Sequence, residues 1–86
     1  MVEREVVVVP EAGLHARPAK EIVKIARSYK SDVTVARNGR EANARSLMKL
    51  MALGAKKGDS VLVRATGEDE EAAVEALVGL ISSEED

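Results

Sequence analysis

Apolar and polar positions follow two rhythms along this chain. A period of two, or an unbroken β-branched run, marks strands, and a period near 3.6 marks helices. Residues 2–9 include the run Val6–Val9, β-branched and without helical spacing, which predicts a strand ended by Pro10. In residues 16–28, Ala19, Ile22, Val23 and Ala26 fall at i, i+3, i+4 and i+7, one apolar stripe of a helix. Pro18 belongs in its first turn, where a missing N–H is harmless. "DVTVA", residues 32–36, alternates as a half-buried strand. Asn38-Gly39 predicts a type I′ hairpin, with "REAN" as the return strand at a sheet edge. Ser46 is placed to N-cap a short helix over residues 47–53, with Gly54 as its left-handed C-terminal residue. "SVLVRAT", residues 60–66, is a further strand. Asp69 is expected to cap a last helix over about residues 70–83, with Val74, Leu77, Val78 and Ile81 as its buried stripe.

The order β-α-β-β-α-β-α predicts a two-layer α+β sandwich with one sheet face covered by helices. Strand order does not follow from the pattern. No internal repeat or linker interrupts it, so residues 1–86 read as a single domain.

Composition narrows the class. Phe, Trp and Cys are absent and Tyr29 is the one aromatic residue, so the core is aliphatic. Without cysteine there are neither disulfides nor Cys-based zinc sites, which favours a cytoplasmic protein. No signal peptide and no membrane span is expected. A net charge of -2 and a single aromatic residue argue against nucleic-acid binding. Cations are concentrated in residues 17–57, which leaves room for a local basic surface.

The only histidine, His15, stands in "GLHARPAK", immediately before the predicted helix. A lone histidine is most often a surface or capping residue. A helix N-terminus, however, disfavours a protonated imidazole and favours an anion. The pKa of His15 is therefore expected below the usual ~6.5, leaving a neutral, nucleophilic ring. A phosphoryl group on that ring would be an anion beside free amides, and Arg17 would add a bidentate positive charge. No triad partner or carboxylate cluster lies near in sequence, so neither a hydrolase nor a metal site is expected, and no cofactor is called for. The phosphoryl group would come from one protein and leave to another.

Two docking surfaces can be read around His15. Arg17, Lys20, Lys24 and Arg27 recur at i, i+3, i+7 and i+10 as a basic stripe, which could equally be a solvated charged face. The helix "SLMKLMALG" is apolar nearly all round. Leu50 and Leu53 suit the core, with Leu47, Met48 and Met51 partly exposed as an adaptable contact patch; the alternative is that all five are core.

"GLHARPA" followed by "SLMKLMALG" resembles HPr, the histidine-containing phosphocarrier family of the bacterial sugar phosphotransferase system, over the whole chain. The resemblance implies an open-faced β-sandwich, with a four-stranded antiparallel sheet and three helices on one face. It implies a phosphoryl carrier rather than an enzyme: His15 accepts the group at Nδ1 from phospho-enzyme I and passes it to enzyme IIA domains, and Arg17 steadies it. It also implies a partner surface of Arg17, Lys20, Lys24, Arg27, Leu47, Met48, Lys49 and Met51.

Ser46 matches the family's regulatory serine, phosphorylated in many relatives by an HPr kinase/phosphorylase, with a transcriptional regulator as a further partner; a plain N-cap explains it equally. The chain departs from the family at Ala12, often Ser, Thr or Asn, and at Lys20, usually small. Lys49 is typical of relatives without the kinase, whereas Met48 and Met51 are typical of those with it. The alternative function is a paralogue or regulatory module acting in nitrogen or carbon control through Ser46. A monomer is the expected state.

Overall fold

The computed structural model describes residues 1–9, 13 and 16–83. Four strands, β1 (Val2–Val7), β2 (Asp32–Arg37), β3 (Arg40–Asn43) and β4 (Ser60–Thr66), form one antiparallel sheet in the order β1-β4-β2-β3. Three helices, α1 (Ala16–Ser28), α2 (Leu47–Ala52) and α3 (Glu70–Ile81), cover one face. The expected two-layer α+β fold is thus present.

The period-two pattern decides which sheet face is covered. Val6, Val33, Val35, Ala42, Val61, Val63 and Ala65 point inward and are buried. Glu3, Glu5, Thr34, Glu41 and Arg64 lie on the other face, where Arg64 bridges Glu3 at 2.7 Å and Glu41 at 3.1 Å. The helices close the core with Ala19, Ile22 and Ala26 from α1, Leu50 from α2, and Ala73, Val74, Leu77 and Ile81 from α3. Burying each of the larger aliphatic side chains contributes about 1.5–3 kcal/mol. With no Phe or Trp to fill space, small residues let the helices sit close to the sheet.

Several expectations are adjusted. β1 is shorter than residues 2–9 because the valine run leaves the ladder. Val8 still bonds the turn before β4, its N–H donating to the Asp59 carbonyl at 2.8 Å. The Val9 N–H instead donates to Ile81, satisfying a carbonyl at the end of α3. In α3 the buried stripe includes Ala73, while Val78 is only half-buried, being rotated off the face that Val74, Leu77 and Ile81 centre. That helix ends at Ile81 rather than 83; both the N–H and the hydroxyl of Ser82 turn back to the Val78 carbonyl. Asn38 and Gly39 have φ of 50° and 82°, as a type I′ hairpin requires, and β3 is indeed an edge strand.

Asp69 flanks α3 but makes no side-chain cap bond to it. Its carboxylate reaches across to the turn after α1, accepting from the N–H groups of Lys30 and Ser31, both at 2.9 Å, and from the Ser31 hydroxyl at 2.5 Å. Those donors hold its pKa down to about 2, the Ser31 hydroxyl contributing most and the Lys30 N–H next. The first turn of α3 is closed by Glu70, which accepts from the Gly67 N–H at 2.9 Å.

Candidate functional site

The start of α1 and the whole of α2 carry the predicted site. His15, Ala12 and the loop residues 10–11 and 14 lie outside the described residues, so the site is built from its neighbours. Gly13, two positions before His15, is buried with φ +69°. A Cβ there would strike the Ala55 carbonyl oxygen and come within 2.9 Å of Lys56 Cα. Only glycine permits both the left-handed backbone and this approach. The chain entering α1 is thereby fastened to the chain leaving α2.

The turn that receives it is braced. The Asp59 carboxylate accepts from the Lys56 N–H at 2.9 Å and from Arg37 Nε at 3.1 Å. Those interactions, the Lys56 N–H foremost, hold its pKa below the ordinary carboxylate value. Arg37 Nη1 also donates to the Leu53 carbonyl at 3.1 Å, closing the end of α2.

Within the first turn of α1, Pro18 and Ala19 are buried while Arg17 and Lys20 face solvent. Lys24 and Arg27 continue along the helix, both exposed, so the basic stripe predicted from spacing is present on the surface. At the far end Arg27 Nη2 approaches the Arg45 carbonyl at 3.5 Å. Because residue 13 meets residue 55 and residue 27 meets residue 45, α1 and α2 run antiparallel, side by side.

α2 resolves the reading of its apolar residues. Leu50 and Leu53 are buried, Leu47 is half-buried, and Met48 and Met51 are 82% and 38% exposed. All five cannot be core, because a two-turn helix lying on the sheet has one covered side. Lys49 is exposed between the two methionines in sequence. Ser46 is the N-cap, its Oγ accepting from the Lys49 N–H at 3.4 Å, at the end of α2 away from Gly13. Gly54 follows the helix with φ +67°.

One supporting residue was not read from sequence. Arg45 donates to the carbonyls of Ala26 at 3.5 Å, Tyr29 at 2.9 Å and Ser31 at 3.2 Å. It closes the C-terminus of α1 from the entry of α2. No local pattern could reveal it, since its partners lie 14 to 19 residues away.

Among the described residues, no group of three or more His, Cys, Asp or Glu is arranged to hold a metal ion. Nor is any helix among them long and apolar enough to cross a membrane.

A small α+β unit thus presents an exposed basic helix face and two exposed methionines on adjoining helices, beside a glycine that packs closely against the end of α2. Comparison with known proteins makes this specific. A family profile described as "PTS HPr component phosphorylation site" matches residues 2–83. The phosphocarrier protein HPr of Vibrio cholerae is 46% identical over 81 residues, covering 94% of this chain and 95% of that protein. A crystal structure of HPr from Thermoanaerobacter tengcongensis superposes with a TM-score of 0.90 at 41% identity, covering 94% of this chain and 91% of that one. Crh, the catabolite repression protein of Bacillus subtilis, superposes at 0.76 with 41% identity, over 94% and 93% of the two chains; its structure is described as a dimer with a swapping domain. The chain belongs to the HPr family of phosphocarrier proteins of the phosphotransferase system.

Proposed function

We propose that this protein carries a phosphoryl group on His15, accepting it from phospho-enzyme I and delivering it to enzyme IIA domains for sugar uptake. The supporting observation is the motif "GLHARPA" spanning the start of α1 in an HPr-family chain, with Arg17 exposed in the helix's first turn. In the reaction a P–N bond forms at His15 Nδ1 as the P–N bond to the donor's histidine breaks. Arg17 neutralises the phosphoryl oxygens, and the amides of the helix start favour the anion. Partners dock on Arg17, Lys20, Lys24 and Arg27 of α1 and on Leu47, Met48, Lys49 and Met51 of α2. The protein acts as a single-domain, cytoplasmic monomer.

The test is intact-protein mass after incubation with phosphoenolpyruvate, magnesium and a bacterial enzyme I. One acid-labile phosphoryl group is expected, absent in His15→Ala. In Arg17→Ala the transfer rate should fall by about 10² with thermal stability unchanged. No adduct with several enzymes I, or an adduct retained by His15→Ala, would overturn the reading.

A second reading is favoured by the likeness to Crh. Here Ser46 is the regulated residue. A phosphate at this N-cap suits the adjoining helix start and sets a dianion beside Met48 and Lys49, repelling acidic partners without unfolding α2. Incubation with ATP and an HPr kinase/phosphorylase should add one acid-stable phosphate, lost in Ser46→Ala. A mass unchanged by several such kinases would reduce Ser46 to a cap.

A further inference from the structure

Some cations of the chain are matched by carboxylates, and others, the basic stripe of α1 among them, are not. Arg4, Lys30, Arg37, Arg45 and Arg64 face carboxylates at 2.7–3.9 Å. Among the described residues the side chains of Arg40 and Lys49 have no such partner, and both are exposed. They line one groove of about 310 Å³ between β3 and α2, together with Glu41, Ala52 and Leu53.

Two acceptors native to this groove, Glu41 Oε2 and the Leu53 carbonyl, are already engaged. Glu41 Oε2 accepts from Arg64 Nη1 at 3.1 Å and from Thr34 Oγ1 at 3.2 Å, which draws it toward the helix-free face of the sheet. The Leu53 carbonyl is taken by Arg37, whose charge Asp59 balances. Arg64 also holds Glu3, so the Arg64 cluster keeps one negative charge against the two free cations. The corner is left positive, over the small exposed apolar surface of Ala52.

We propose that this groove is a docking site for a carboxylate-bearing segment of a protein partner, with Arg40 extending the contact surface around α2 to the edge strand. The inference rests on the docking role given above to Met48 and Met51, because Lys49 joins that patch to the groove. An acidic protein segment fits the open, rim-like setting, where charges steer encounter more than they add affinity.

The test compares the wild type with Arg40→Glu, Arg40→Gln and Met48→Asp, using a bacterial enzyme I and a bacterial IIA domain as probes at about 50 mM and about 300 mM salt. For at least one partner, Arg40→Glu should lower the association rate about three- to tenfold at low salt, with a much smaller effect at high salt. Arg40→Gln should lie between, and both variants should keep the wild-type melting temperature. If Arg40→Glu and Arg40→Gln bind both probes like the wild type while Met48→Asp binds weakly, the groove is not a docking site and the α2 patch stands. If Met48→Asp is also without effect, the docking reading fails and this inference with it. If inorganic phosphate alone shifts the Arg40 and Lys49 amide resonances while the Arg40 variants bind both proteins normally, the groove is a small-anion site instead.

Discussion

The carboxylate of Asp69, at the entry to α3, holds the hydroxyl of Ser31 at 2.5 Å across 38 positions of sequence. Ser31 is buried, and the same carboxylate accepts its N–H and that of Lys30. One ionised group therefore satisfies three donors of the α1–β2 turn and ties that turn to α3. Gly67 completes the junction, since a Cβ there would lie 2.7 Å from Ser31 Oγ.

This bond sets an acid limit on stability. The pKa of Asp69 is lowered from 3.8 to about 2 on folding. Its contribution is fully present above pH 3.8 and is lost as pH falls from there through about 2, where the folded carboxyl takes up its proton. Thermal melting followed by circular dichroism should show the melting temperature falling in that window. In Asp69→Asn the fall should be shallower from a lower starting value, and an unchanged slope would refute the assignment.

Arg45 is expected to matter through α1 rather than through any ion pair, its distance to Asp32 being 3.9 Å. Arg45→Ala removes the side-chain donor of the Tyr29 and Ser31 carbonyls in the turn after α1 and one of two donors to the Ala26 carbonyl, costing about 1–2 kcal/mol. Chemical denaturation should read this loss. Asp32→Ala, which removes only the exposed carboxylate, should change stability by less than about 0.5 kcal/mol.

Gly13 should be intolerant of a single methyl group. Gly13→Ala combines a positive φ with a clash against Ala55, for which about 1–3 kcal/mol of destabilisation is expected. Because Gly13 stands two positions before His15 in the sequence, phosphoryl uptake should slow by more than the lost folded fraction accounts for. Measuring uptake well below the melting temperature separates the two effects.

The two sides of α2 should respond oppositely. Leu50→Ala removes a fully buried side chain and should cost about 2–5 kcal/mol. Met48→Asp changes one that is 82% exposed, so stability should hold while docking to enzyme I weakens. Equal stability losses in the two variants would return Met48 to the core.

Much of this was legible because it is local. The type I′ turn at Asn38-Gly39, the Ser46 cap, the Gly54 terminator and the extent of α1 each depend on residues within one or two turns of chain. The exposed basic stripe also follows from spacing alone, since neighbours on a helix face are fixed by its period. Asp69 takes the predicted N-cap position but not the side-chain cap bond, for the complementary reason. An aspartate before a helix satisfies the capping pattern, but three donors from the α1–β2 turn compete for its carboxylate and win.

The sequence by itself determined the order of the elements, the inward stripe of α1, and the candidate phosphoryl acceptor with its arginine, because periodicity and motif are properties of neighbouring residues. The tertiary structure alone decided the strand order β1-β4-β2-β3, the closing of α1 by Arg45 and the fastening of Gly13 against Ala55. It alone decided which side of α2 is bare, and that Arg40 and Lys49 share a groove. Each of these joins segments distant in sequence, and their partners are set by packing the whole chain around one aliphatic core.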